Sequence, residues 1–226
     1  DFPGLYNLYP TSRDEKMVVQ SLLDTKDRFH PDLICYVADV TKLEKHLLLL
    51  HQLKDMDFPL VLVLNMIDLA QKEQLEIDAG LLSGKLNVPV VTVSGRSGEG
   101  IPDLFKEIGD QLSNNINARI SDSGIYTFSE EEKNLTQQLA SIFPSYSAYK
   151  RLLMAHHAQW LPFISASDRI HLLSILGENA FKSLPFQVRE VTQRYHFFTP
   201  VVASVLKKKA KDGFTFSEKL DGLLTN

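Results

Sequence analysis

An α/β unit with a doubly wound parallel sheet, followed by a small all-α unit, is the fold class that this 226-residue sequence predicts. Three observations carry it. Residues 1–115 alternate apolar runs with amphipathic segments, residues from about 118 to 213 show only capped helical patterns, and a polar, turn-rich stretch, SNNINARISDSG (113–124), lies between them. In the first half the apolar runs are LICYVADV (33–40), PLVLVLNMID (59–68) and VPVVTVSG (88–95). Each is nearly continuous and rich in β-branched residues, the pattern of strands buried on both faces of a parallel sheet. Helix-length segments separate them. TKLEKHLLLLHQLKDM (41–56) spaces Leu43, Leu47, Leu50 and Leu53 by three and four, residues 76–86 form a shorter segment, and Ile101 to Leu112 follow SGEG. Such sheets wind with right-handed crossovers and bind ligands at the carboxyl ends of their strands.

The second half predicts a helix after Ser129, whose spacing to Glu132 suits a capping box. A second is expected behind Ser167 as cap, ahead of Ile170, Leu172, Leu173 and Leu176. A third is expected after Thr199, with Pro200 at its first position and Lys207, Lys208, Lys209 and Lys211 near its C-terminus, where the helix dipole favours cations. The division expected is therefore 1–115, 118–213 and a closing segment 214–226.

Composition removes several function classes. The formal net charge of −4 and pI near 6.0 argue against a broad nucleic-acid surface. Cys35, the sole cysteine, forms no internal disulfide, and its apolar surroundings predict a buried thiol in a reducing compartment. No run reaches 18 apolar residues, and no signal peptide is visible at the start.

The chemistry sits at the strand ends. At the end of the second run, Asn65 and Asp68 stand three apart, in Asn65-Met66-Ile67-Asp68. A carboxylate there can accept from the N1–H and 2-amino group of guanine together, a donor pair that adenine lacks. Asn65 either contacts the base or ties this loop to its neighbours. The third run ends in Ser94, Gly95 and Arg96, where small residues let backbone amides approach a planar base. The chain opens on Asp1-Phe2-Pro3-Gly4, an Asp-x-x-Gly tetrad. In nucleotide-hydrolysing switches that aspartate orders the water shell of Mg²⁺ and the glycine amide reaches the terminal phosphate. The tetrad, then NMID about 60 residues on, then SGR about 25 further, form a guanine-nucleotide set by order and spacing.

Taken with DFPGLYNLYPTSRDEKMV, PDLICYVADVTKLEKHLLL, FPLVLVLNMIDLA, VPVVTVSGRSGEGI and the closing FTFSEKLDGLL, these motifs resemble the cytosolic part of the ferrous iron transport protein B (FeoB) family, prokaryotic membrane proteins with an N-terminal G domain. The resemblance is strongest over 1–105. It implies a Ras-like doubly wound G domain, incomplete at the N-terminus, then a helical domain that tunes nucleotide binding and a segment leading to a membrane helix. It implies a GTP/GDP site of Asp1, Phe2, Pro3, Gly4, Asn65, Met66, Ile67, Asp68, Ser94, Gly95 and Arg96. Mg²⁺ would be held by Asp1 through water, with a monovalent cation as a further candidate. Implied partners are the protein's own transmembrane domain, small accessory iron-transport proteins and further copies of itself, with no nucleic acid. The implied place is the cytoplasmic face of the inner membrane, this piece being soluble.

Two departures from the family pattern matter. GxxxxGK[ST] is absent; Gly84-Lys85 is followed by Leu86. The phosphate loop and first switch are thus expected upstream of Asp1, and this chain alone is expected to be inactive. The position that is Gln in Ras-like proteins is Leu5, whose side chain cannot orient water, so slow hydrolysis is expected. Rival readings are a soluble RNA- or ribosome-associated GTPase and a non-catalytic interaction module. His156 and His157 are adjacent and His46 and His51 five apart, poor spacings for a shared metal. Trp160 and Phe197–Phe198 read as core aromatics. The KKKAK run reads as a solvated helix end with anionic lipid as its alternative contact.

Overall fold

A computed structural model describes residues 1–114 and 126–208. Its elements are α1 (Arg13–Leu23), β1 (Ile34–Asp39), α2 (Leu43–Asp55), β2 (Leu60–Asn65), α3 (Ile67–Lys72), β3 (Leu75–Ile77), α4 (Ala79–Leu86), β4 (Val90–Thr92), α5 (Ile101–Asn114), α6 (Glu130–Gln138), α7 (Ala148–His157), α8 (Ala166–Glu178), α9 (Ser183–Val205) and β5 (Leu206–Lys208). The strands β1, β2 and β4 form a parallel sheet in that order, with Asp39 level with Asn65. The fold is Ras-like α/β followed by helices, as the sequence pattern predicts. The β3 and β5 strands form a separate antiparallel pair.

Each central residue of β2 is buried, and its two faces feed two clusters. Leu60, Leu62 and Leu64 join the main core with α2, whereas Val61, Val63 and Val93 pack with Leu33, Val91, Ile101 and Leu104. The second cluster explains a correction. Cys35 is exposed, not buried, and Val37 is 55 % exposed. They lie level with Val61 and Val63, on the α5 side. The apolar contacts of α5, made by Ile101 and Leu104, go to the valines of β2 and β4 and leave β1 uncovered on that face.

The helix α2 is buried almost all round. Leu43, Leu47, Leu50 and Leu53 are buried as their spacing predicts, but so are Leu48, Leu49, His51 and Gln52. The reason is α9, which packs along α2 on the side away from the sheet. One hydrophobic cluster therefore runs from Leu8 and β2 through α2 to Phe198, Val201 and Val205.

Local signals in the second half are partly as expected. Ser129 and Glu132 form the capping box of α6. The cap of α8 is Ser165 rather than Ser167; its Oγ accepts from the Asp168 amide at 3.1 Å. Pro200 does not begin a helix but lies inside α9, which starts at Ser183 with Pro185 in its first turn. Lys207 and Lys208 belong to β5 and not to a helix end, while Lys209 and Lys211 lie outside the described residues. The segment 76–86, expected as one helix, divides into β3 and α4 around Asp78, whose carboxylate caps α4 through the Leu81 amide at 2.8 Å. Phe198 is fully buried, but Phe197 is 40 % exposed. The closing segment 214–226 lies outside the described residues. Among those described, no helix is long and apolar enough to cross a membrane.

Candidate functional site

The NMID and SGR loops meet at the carboxyl ends of β2 and β4. Asn65 is the last residue of β2, and its Oδ1 accepts from the Met66 amide at 2.8 Å and the Gly95 amide at 3.0 Å. Of the two roles left open for Asn65, its carbonyl oxygen fills the tying one. Ser94 is fully buried, and its Oγ–H donates to Asp68 Oδ1 at 3.1 Å. The same Oγ accepts from the Ser97 amide at 3.2 Å. The Ile67 amide donates to the Val93 carbonyl at 3.3 Å. The two loops are thus laced by one backbone and two side-chain bonds.

The backbone is set to permit this. Met66 is left-handed, with φ 68°, and α3 starts directly behind it. That turn places Asp68 in the first turn of α3. The Ser94 amide donates to the Glu99 carbonyl and the Gly98 amide to the Ser94 carbonyl, closing the third loop on itself. Gly100 completes the closure at φ 75°, where a Cβ would sit 2.0 Å from the Thr92 carbonyl oxygen. Gly100 was not singled out by its motif; only its left-handed conformation and this close approach mark it.

Asp1 to Gly4 are exposed and lie elsewhere. They line a cavity of about 380 Å³ together with Pro31, Leu33, Cys35 and Val37. Among the described residues, no hydrogen bond joins Asp1–Gly4 to the NMID or SGR loops. Leu5 packs against the main core.

A polar cluster that the motifs did not announce holds the segment after Leu5. The Leu8 amide donates to Gln52 Oε1 at 2.8 Å, and its carbonyl accepts from His157 Nε2–H at 2.9 Å. The Tyr9 hydroxyl donates to Glu190. That carboxylate also accepts from Gln52 Nε2 at 3.1 Å, Tyr149 Oη at 2.6 Å and Arg194 Nε at 2.7 Å. Arg194 reaches Asp55 at 2.7 Å. Burial acts to lower the pKa of the guanidinium, but Tyr149, Glu190 and Asp55 outweigh it and raise it. Burial and Glu190 likewise raise the Tyr9 and Tyr149 phenols, which stay protonated donors. No sequence signal finds this cluster, because Gln52, Glu190 and Tyr9 are separated by up to 181 residues.

Burial also drives His51 down to about 3 and His157 to about 4. Among the described residues, no group of three or more His, Cys, Asp or Glu side chains is arranged to hold a metal.

Comparison with known proteins gives a consistent result. Residues 1–108 match the family model described as ferrous iron transport protein B. The whole chain aligns at 28 % identity with an Fe(2+) transport protein A/Fe(2+) transporter FeoB fusion protein of Porphyromonas gingivalis and with the Fe(2+) transporter FeoB of Staphylococcus aureus, covering 28 % and 34 % of their lengths. The chain thus spans about a third or less of these relatives. Among solved structures, the cytosolic domain of L. pneumophila FeoB superposes with a TM-score of 0.72 at 26 % identity, covering 92 % of this chain and 79 % of that one. The cytosolic domain of the T. maritima FeoB iron transporter in a GDP form gives 0.66 at 20 % identity, over 92 % and 78 %. The motif-bearing residues 1–108 thus match the ferrous iron transport protein B family model, and the fold is shared with the cytosolic domains of FeoB proteins.

Proposed function

We propose that this chain reads guanine nucleotides as the cytosolic regulatory part of a ferrous iron transporter. The single observation that carries the reading is the interlock of Asn65 with Gly95 and of Ser94 with Asp68 at two adjacent strand ends. Ser94 engages one carboxylate oxygen of Asp68 and so limits its rotation. The carboxylate is thereby oriented to accept from N1–H and the 2-amino group of guanine. With the Gly95 amide held by Asn65, the Arg96 amide is the donor for the base carbonyl. Met66 and Ile67 bridge Asn65 and Asp68 in the loop, Met66 exposed and Ile67 against the main core. Structures of related cytosolic domains in GDP and GMPPNP forms support the ligand class.

Asp1 would act on Mg²⁺ through water, and Gly4 would contact the terminal phosphate, with Phe2 and Pro3 shaping the tetrad between them. A lone exposed carboxylate fits that outer-sphere role, because Mg²⁺ keeps several waters and takes most of its other ligands from phosphate. Leu5 cannot orient a nucleophilic water, so hydrolysis is slow. Nucleotide state regulates iron passage through membrane segments, at the cytoplasmic face of the membrane. In this reading the chain divides into a G-domain part, 1–115, and a helical part, 118–213.

The test is competition against a fluorescent GDP with Mg²⁺, run on this chain and on the full-length protein. GTP and GDP are expected to displace the probe from the full-length protein, and ATP to fail at a hundredfold excess. The 226 residues alone, lacking GxxxxGK[ST], are expected to bind more weakly. Equal displacement by ATP would refute guanine reading and favour a non-catalytic interaction module.

A further inference from the structure

The β3–β5 pair links the loop that carries Asp68 to the end of the last described helix. Asp68 lies in α3, a helix of six residues that spans about 9 Å. Its start is fastened by the Ile67 amide to Val93, and Ala70 is fully buried beneath it. Left-handed residues that are not glycine bound it on both sides, Met66 at φ 68° and Gln74 at φ 57°. Directly after Gln74, β3 pairs with β5 in the register Leu75–Lys208, Glu76–Lys207 and Ile77–Leu206. The Asp78 amide extends the ladder to the Val205 carbonyl at 3.0 Å. Alternation in an antiparallel ladder makes Glu76–Lys207 the next hydrogen-bonded pair, with opposite charges facing across it.

A helix this short does not absorb a displacement by bending. A shift of Asp68 is delivered to Leu75 seven residues on. The left-handed ends favour discrete alternatives over a gradual drift, since a residue there either keeps its sparsely allowed conformation or leaves it. The ladder that receives the shift has two strands of three residues each, a size that is marginal by itself and so responds to small biases.

Resting on the guanine reading above, we propose that the β3–β5 ladder is a regulatory contact: nucleotide at Asp68 fixes α3 and β3, and through them the position of β5 at the end of α9. Asp68 and Lys207 are then two ends of one two-state element. Linkage makes their effects reciprocal, so the factor by which nucleotide stabilises the ladder equals the factor by which the ladder strengthens nucleotide binding.

The experiment uses the full-length protein with GDP and Mg²⁺. Amide hydrogen exchange is followed at 75–77 and 206–208 with and without saturating GDP, and GDP affinity is measured for the unmodified protein, Lys207→Pro and Lys207→Ala. Proline removes the ladder N–H, whereas alanine keeps it. GDP is expected to slow exchange of the Glu76 and Lys207 amides about tenfold, near the lower end of typical coupling factors. Lys207→Pro is expected to weaken GDP binding by a similar factor, and Lys207→Ala to leave it within twofold. Unchanged exchange under saturating GDP overturns the proposal, as does unchanged affinity in a folded Lys207→Pro protein. If Lys207→Pro melts early and fails to fold, the exchange result on the unmodified protein decides. If the full-length protein binds no GDP, the guanine reading falls and the ladder proposal with it; binding without a ladder response sinks the ladder proposal alone.

Discussion

Gly100 shows how one residue can govern a binding loop without touching a ligand. Its left-handed backbone and the approach of the Thr92 carbonyl leave no room for a Cβ. Gly100→Ala must displace β4 or open the loop that Ser94, Gly98 and Glu99 close. The expected outcome is a loss of about 1–3 kcal/mol in thermal or urea unfolding, in the range of strained backbone sites, together with weaker guanine-nucleotide binding. Gly98→Ala, also left-handed but with open space around it, is expected to cost less. The residues of the site differ in how legible they were. Asn65, Asp68 and Ser94 stand out in sequence because strand ends concentrate binding groups in this fold class. Their mutual bonds were only half legible, since the sequence left open whether Asn65 faces the base or its neighbouring loop. Cys35 misled, because a continuous apolar run does not disclose that one strand lacks cover on one face.

At the scale of elements, period and capping were informative where the signal is local. The buried stripe of α2 and the capping box of α6 follow from spacing alone. The start of α9 does not, because a proline at position 200 suits a first helical turn and also survives inside a long packed helix. Nor does the division at Asp78, where an aspartate cap and a three-residue strand interrupt an apparently continuous segment. The choice between Ser165 and Ser167 as cap of α8 gives a clean check. Ser165 accepts from the Asp168 amide at 3.1 Å and donates to its carboxylate at 2.7 Å. Ser165→Ala is expected to cost about 1 kcal/mol in urea unfolding, the usual value of a cap, while Ser167→Ala changes stability by a few tenths at most. Equal costs would contradict the assignment.

At the scale of the molecule, the α/β half and the helices share one core, and α9 lies against α2, a contact that the helical periodicity of neither segment discloses. Contacts 138 residues apart in sequence, such as Gln52 with Glu190, leave no local trace. The interior they build is sensitive to acid. His51 and His157 are 1 % and 3 % exposed, and burial lowers both below the ordinary imidazole value of 6.5. His51 has no hydrogen-bond partner for either ring nitrogen among the described residues. The folded state therefore resists their protonation. Above pH 6.5 neither costs stability; as pH falls from 6.5 toward about 3–4, the unfolded chain binds protons that the folded chain refuses, and stability is lost. At pH 5 the loss is roughly 2 kcal/mol for each. Unfolding between pH 5 and 6 is expected to take up one to two protons from these groups, read from the slope of stability against pH. His51→Leu is expected to flatten that slope by close to one proton; an unchanged slope would show that His51 is solvated.

The most direct measurement of guanine reading is the same competition titration repeated on full-length Asp68→Asn. Xanthine carries a carbonyl where guanine carries its 2-amino group, so a side-chain amide at position 68 complements xanthine and no longer accepts from both guanine donors. The substituted protein should prefer XDP over GDP, with GDP affinity reduced by about two orders of magnitude, equivalent to about 3 kcal/mol for a charge-assisted pair. If Asp68→Asn leaves GDP affinity intact and gains nothing for XDP, Asp68 does not face the base, and the interlocked loops are a structural joint with no part in nucleotide choice.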